Sequence, residues 1–187
     1  MKVLKRQWRL DVIHHSHTDV GYTTRQEKVE QQQVHYIREA IAILDAIHSG
    51  KRPQWKGFRW VCETFWAVER FLEKASEDEL CSFKKYLRSG EIELSGTYLN
   101  MTELIDDYLI RALTKRIVDC GVSVDVGVDS AITADINGYG WGYSQALLDN
   151  GIKHLFTCTH AHHGMFPLEQ KQTPFWWESP LGEKLLV

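Results

Sequence analysis

The side chains best suited to do chemistry lie in residues 14–19, which read HHSHTD and follow an apolar segment. Alternate side chains of an extended segment lie on the same side of the backbone, so His15, His17 and Asp19 are expected to share one face. Two imidazoles and a carboxylate suit Zn²⁺ or another divalent cation. The spacing therefore predicts a metal site at these three residues, and a loop that carries exposed polar side chains is the alternative.

A second histidine cluster, THAHHG at residues 159–164, follows another short apolar run. His160 and His162 would share a face if this segment is extended, and imidazole is the commonest metal ligand in proteins. Histidines are also common in exposed loops that bind nothing. The cluster is therefore a candidate source of a further ligand.

These clusters need elements that bring them together, and the hydrophobic pattern predicts strands that alternate with helices. Such alternation predicts an α/β fold with a parallel sheet and right-handed crossovers. Functional side chains of such folds collect at the carboxyl ends of the strands, and polar clusters follow several of the strands expected here. The expected helices cover residues 27–47, 65–74, 78–88, 104–119 and 143–148, and the expected strands cover residues 8–15, 58–62, 92–94, 130–134, 153–157 and 185–187.

Composition and charge limit the class of protein. The 187 residues are 43% hydrophobic and 25% charged, with a formal net charge of -3, as in a soluble globular domain. The mixed charges argue against nucleic-acid binding, which uses a basic face. No secretory signal and no membrane span is expected from the hydrophobic pattern. The four widely spaced cysteines favour reduced thiols in a cytoplasmic protein.

The first motif also carries a family resemblance, because residues 15–22, HSHTDVGY, resemble the His-x-His-x-Asp-Pro-Gly-Trp signature of family 38 glycoside hydrolases, the retaining α-mannosidases. The resemblance implies that His17 and Asp19 bind zinc and that His15 is their neighbour. Tyr22 stands at the last position of the signature and keeps an aromatic face for a sugar ring. The resemblance therefore implies a carbohydrate substrate and a zinc cofactor.

Later segments resemble the same family in the same order along the chain. They imply the family's fold, a seven-stranded parallel β/α barrel of the α-mannosidase type. Barrel-like domains need about 250 residues, so residues 1–187 are expected to be the N-terminal part of one catalytic domain, incomplete and with little activity alone. The formation of a homo-oligomer is left open. The segments that carry the resemblance are residues 59–66, 90–98, 135–140, 150–152 and 175–182.

The segment that carries the nucleophile in this family departs from the pattern. Aligned without gaps, Thr102 stands at the position of the family's nucleophilic Asp, and Glu103 follows it. Thr cannot act as a carboxylate nucleophile, and a retaining glycosidase needs two carboxyl groups about 5–5.5 Å apart. We therefore predict that Glu103 and Asp135 are the catalytic carboxylates, and that Tyr22 and Trp141 contact the substrate.

Other functions remain open on the sequence. Amidohydrolases and deacetylases also place His-x-His after a first strand and use the metal to activate water, and Thr102 favours this alternative. A non-catalytic sugar-binding relative that keeps the metal is a further alternative. Glu103 itself has a structural alternative, because it would join Asp106 and Asp107 in charging the first turn of the following helix.

Overall fold

The computed structural model describes residues 9–100, 105–159 and 173–187, and within them helices alternate with strands. The helices are Gln26–His48 (α1), Phe65–Lys74 (α2), Glu77–Arg88 (α3), Asp107–Ser123 (α4) and Gly142–Asp149 (α5), with a short 3₁₀ turn at Pro53–Trp55. The strands are Trp60–Cys62 (β1), Ile92–Leu94 (β2), Ser130–Ile136 (β3), His154–Thr159 (β4), Trp176–Glu178 (β5) and Lys184–Leu186 (β6).

The strands lie side by side in nearly the same order as they occur in the chain. β1 pairs with β2 in parallel, and β4 pairs in parallel with both β3 and β6. Gly96 donates its N–H to the Ser130 carbonyl at 2.9 Å, and the Ser95 hydroxyl accepts the Ile132 N–H at 3.0 Å, so β2 adjoins β3. A parallel bridge from His14 to β1 places the first motif at the other edge. The result is a mixed α/β fold in which consecutive strands are neighbours, except that β6 lies between β4 and β5.

The helices cover this sheet with the faces that their apolar spacing predicts. α2 and α3 contribute Phe71 and Phe83, whose rings lie 5.0 Å apart between centroids in the core. α3 begins with a reciprocal capping box, in which Ser76 and Glu79 each accept the other's backbone N–H. The core face of α1 consists of Val29, Gln33, Val34, Ile37, Ala40, Ile41 and Leu44.

Most predicted elements are confirmed to within a few residues, and among the helices α4 differs most from its predicted bounds. It was expected to end at residue 119 because Gly121 follows, but it continues to Ser123. Gly121 is buried, and a Cβ there would lie 2.7 Å from the Val126 carbonyl oxygen. This glycine therefore permits a close backbone approach and does not terminate the helix.

The predicted buried strand over residues 8–15 is wrong within its described part, residues 9–15. Only His14 forms a bridge there, and Leu10, Val12 and Ile13 are 85%, 59% and 52% exposed. These side chains line an open cavity of about 1000 Å³ whose other walls include the starts of β1, β3 and β4. Half or more of the surface of each of these three apolar side chains is therefore exposed among the described residues.

The prediction of an all-parallel sheet also fails at one edge. β5 pairs antiparallel with β6 and was not predicted as a strand. Its three residues are too few to show a periodic pattern. The described strands form a two-stranded and a four-stranded group, so barrel closure is not seen in this part of the chain. In these residues, no helix has the length and apolar character needed to cross a bilayer.

The start of α4 gives a stability prediction. Asp106 caps the helix, since its Oδ1 atom accepts the Leu109 N–H at 2.7 Å. Asp106→Ala should lower the free energy of unfolding by about 1 kcal/mol, measured by urea denaturation, because the helix loses a cap. Asp106→Asn, which keeps a capping oxygen, is the control and should lie near the parent. Equal midpoints for Asp106→Ala and the parent would contradict the assignment.

Candidate metal centre

The first motif is held by a buried carboxylate at the end of β1. His15 Nδ1 lies 2.5 Å from Glu63 Oε2, and His17 Nδ1 lies 2.6 Å from Glu63 Oε1. The Glu63 side chain is only 1% exposed. Both imidazoles therefore lie on one side of the segment, as the spacing of two predicts.

Asn100 connects this carboxylate to β3. Its Nδ2 group donates to Glu63 Oε1 at 2.8 Å, and its Oδ1 atom accepts the Ala134 N–H at 3.3 Å. Glu63 thus accepts hydrogen bonds from two imidazoles and one amide. The network joins the first motif, the end of β1, the segment after β2 and the carboxyl end of β3.

A set of potential metal ligands lies beside this network. One ligand atom from each of His17, Asp19 and Asp135 lies within 4.8 Å of the others. His17 Nε2, on the ring edge opposite Glu63, is 3.8 Å from Asp135 Oδ2. One imidazole and two carboxylates suit Zn²⁺ or a similar divalent cation, so the donor set fits the predicted metal.

An irregularity in β3 directs Asp135 toward this cluster. The register of β3 against β4 shifts between Ala134 and Ile136, and Asp135 between them has a φ of 54°. A bulge changes the direction in which a side chain points, and left-handed non-glycine residues are concentrated at functional sites. The left-handed backbone at Asp135 therefore supports a functional role for this residue, such as metal ligation.

The predicted site residues are distributed as follows. His17, Asp19 and Asp135 come together, although Asp135 had been predicted as a catalytic carboxylate. His15 pairs with Glu63 and is not a member of the cluster. Glu103 and the histidines at positions 160 and 162 lie outside the described residues.

The two aromatic residues predicted to contact substrate are both exposed. Tyr22 is 88% exposed, and Trp141 is 64% exposed with its Nε1 group donating to the Glu178 carbonyl at 2.9 Å. An inner aromatic cluster follows Asp135, since the ring of Tyr139 stacks on Tyr143 with centroids 5.0 Å apart. Tyr143 is buried, so the exposed rings of Tyr22 and Trp141 are the ones that could contact the apolar face of a sugar ring.

Two residues of the network had no predicted role. Glu63 lies in the family-like segment 59–66 without having been assigned a role, and Asn100 had not been singled out. The signal that points to both is a polar residue shortly after a short strand, at the edge where the other motifs end. The preceding residue, Cys62, lies in the core, where burial raises the pKa of its thiol to about 12.

Comparison with protein families gives an extended match. Residues 7–187 match the model of the glycosyl hydrolases family 38 N-terminal domain. This match confirms the resemblance inferred from the motifs. A comparison with curated proteins found no match.

Comparison with solved structures shows a shared fold. A family 38 glycosyl hydrolase from Enterococcus faecalis aligns with a TM-score of 0.66 at 13% identity, over 94% of this chain and 18% of that chain. An α-mannosidase from Enterococcus faecalis V583 aligns with a TM-score of 0.63 at 12% identity, over 93% of this chain and 19% of that chain. A 4-α-glucanotransferase from Thermococcus litoralis aligns with a TM-score of 0.62 at 15% identity, over 94% of this chain and 26% of that chain.

At these identities the structural likeness shows the fold alone, and the chain spans only 18–26% of the length of the three proteins. The family match covers nearly the whole chain and does not depend on that likeness. The chain therefore belongs to glycosyl hydrolase family 38, within the part that corresponds to the N-terminal domain of that family.

Proposed function

We propose that this protein is a divalent-metal-dependent glycoside hydrolase of the α-mannosidase type, which cleaves glycosidic bonds of a carbohydrate. The observation that carries the proposal is the convergence of His17, Asp19 and Asp135 at one edge of the sheet, in a chain of a glycosyl hydrolase family. The order of the strands supports completion of the sheet as the seven-stranded barrel that the motifs imply.

In this proposal the three clustered side chains hold the cation, with Zn²⁺ as the first choice. A cation bound there supplies positive charge that attracts sugar hydroxyl oxygens. Asp135 is assigned to the cation because one of its carboxylate oxygens lies within 4.8 Å of ligand atoms of both His17 and Asp19. The hydrogen bonds from His15 and His17 to Glu63 hold the two rings in place, so the site is organised before substrate arrives.

Cleavage itself is assigned to a carboxylate outside the cation cluster. Glu103, which follows Thr102 in the segment between β2 and α4, is proposed to attack the anomeric carbon while the glycosidic C–O bond breaks and a second carboxylic acid protonates the leaving oxygen. Water then hydrolyses the ester between the sugar and Glu103 and releases the sugar. The exposed rings of Tyr22 and Trp141 are proposed to contact the sugar. The roles of Glu103, Tyr22 and Trp141 are inferred from the sequence motifs. They are supported by the position of the cation cluster at the carboxyl end of β3.

One observation favours a second function. Thr102 stands where the family's nucleophilic Asp is expected, and a metal-dependent deacetylase needs no carboxylate nucleophile. The two functions differ in the bond that is cleaved, a glycosidic bond in the first and an amide or ester bond in the second. They therefore make different products from different substrates.

The test is an assay of the full-length protein on aryl α-mannosides and on acetylated sugars. We expect phenol release from the α-mannosides, loss of that release after treatment with a chelator, and recovery after addition of Zn²⁺. Acetate release without phenol release would establish the second function. Silence on both substrates, with retained binding of mannosides in calorimetry, would show a non-catalytic sugar-binding protein.

A further inference from the structure

The strongest feature beyond the cation cluster is the way in which Glu63 is shared. Its two carboxylate oxygens face two imidazole Nδ1 atoms and one amide group, in a place where the side chain is 1% exposed. An ionised carboxylate accepts hydrogen bonds and donates none. Each imidazole must therefore carry its proton on Nδ1 to make its bond.

We infer that Glu63 is a positioning residue, which holds His15 and His17 together as Nδ1–H tautomers and leaves both Nε2 atoms unprotonated. A neutral imidazole binds a cation through its unprotonated nitrogen, so this tautomer makes His17 Nε2 ready to act as a ligand. His17 Nε2 faces Asp135 Oδ2 at 3.8 Å, so the nitrogen that would bind the cation lies on the side of the other candidate ligand. The use of Nε2 rests on the proposed function, whereas the tautomers are a property of the metal-free protein.

Asn100 makes the two carboxylate oxygens of Glu63 unequal, because it donates a hydrogen bond to Oε1. A backbone N–H only donates, so the Ala134 N–H fixes Oδ1 of Asn100 on its own side, and Nδ2 must point at Glu63. The Oε1 position of Glu63 therefore faces two donors, His17 Nδ1–H and the Asn100 amide. The Oε2 position faces the His15 ring, and the Asn100 amide donates to Oε1 instead.

This asymmetry predicts how a Gln at position 63 would sit. Its carbonyl oxygen should occupy the Oε1 position, because an amide NH₂ there would oppose both His17 Nδ1–H and the Asn100 amide. The NH₂ group then faces His15, whose Nδ1 must accept in order to keep a hydrogen bond. Glu63→Gln should therefore move the His15 proton from Nδ1 to Nε2 and leave the His17 proton in place.

Long-range ¹H–¹⁵N correlation spectra of histidine-labelled, chelator-treated protein test the inference in mildly alkaline buffer, where free imidazole is neutral. We expect Nδ1–H tautomers at both His15 and His17 in the parent, and an Nε2–H tautomer at His15 alone in Glu63→Gln. An Nε2–H tautomer at either ring of the parent would overturn the inference. Unchanged rings in a folded Glu63→Gln, or a switch at His17, would also overturn it.

The chain offers a matched control at a second histidine–carboxylate pair. His48 Nε2 lies 2.9 Å from Glu91 Oε1, so His48 should be an Nε2–H tautomer in the parent and in Glu63→Gln. Glu91→Gln should leave His15 and His17 unchanged. A changed tautomer at His48 in Glu63→Gln would show that this variant has lost structure in general. Asn100→Ala would then be the deciding variant, because it leaves Glu63 intact. Both Nδ1–H tautomers should persist in Asn100→Ala, and their loss would overturn the inference.

These spectra need neither bound metal nor substrate. A protein with the expected tautomers but no metal-dependent mannosidase activity would disprove the proposed function and leave the inference standing. A metal-dependent mannosidase in which His15 or His17 is an Nε2–H tautomer would disprove the inference and support the proposed function.

Discussion

Asp135→Asn is expected to weaken Zn²⁺ binding at least about 100-fold. Loss of a residue that only orients a metal ligand already lowers metal affinity by about 10- to 100-fold, and Asp135 is proposed to be a ligand itself. Asp135 supplies one of three ligand atoms that lie within 4.8 Å of one another. The substitution removes a negative charge with almost no change in volume. Asn also tolerates the left-handed backbone found at this position, so the fold should survive.

Competition between the metal-stripped protein and a chromophoric chelator measures this effect. Asp125→Asn is the matched control, since Asp125 has a φ of 61° and pairs with Arg88, away from the cluster. It should bind Zn²⁺ as the parent does, whereas His17→Ala and Asp19→Ala should resemble Asp135→Asn. If Asp135→Asn keeps parental affinity while His17→Ala loses it, Asp135 is not a ligand.

The part of this centre that the sequence predicts is the part that depends on local spacing. His15 and His17 face the same carboxylate because alternate side chains share a face, whatever the segment pairs with. The bounds of α2 and β2 follow equally well from local apolar spacing. Such features need no knowledge of the residues that lie opposite.

The remainder depends on contacts that are distant in sequence. Asp135 reaches the cluster through a register shift in β3, and a single irregular residue has no periodic signature. Glu63 acquires its role from two rings that lie 46 and 48 positions earlier. Leu10 was expected to be buried because it is apolar, but apolarity does not say what covers a side chain.

The structure also narrows the choice of nucleophile near α4. Of the acids in this segment, Asp106 caps the helix through the Leu109 N–H, and Asp107 accepts from Arg111 Nε at 2.7 Å. Both carboxylates therefore have the helix-terminal role that the sequence offered as an alternative. Glu103 lies outside the described residues, and it is the segment's acid for which the catalytic prediction still stands.

Glu103→Gln is accordingly expected to lower kcat at least about 100-fold, because the substitution removes the carboxylate that is proposed to attack the anomeric carbon. Because the group acts in the transition state, kcat and kcat/KM should fall together while Zn²⁺ affinity stays near the parental value. Asp107→Asn is the matched control from the same segment, and its turnover of aryl α-mannosides should remain near that of the parent. Parental turnover of aryl α-mannosides in Glu103→Gln would remove Glu103 from the reaction, and an equal loss in Asp107→Asn would show that the effect is not specific to Glu103.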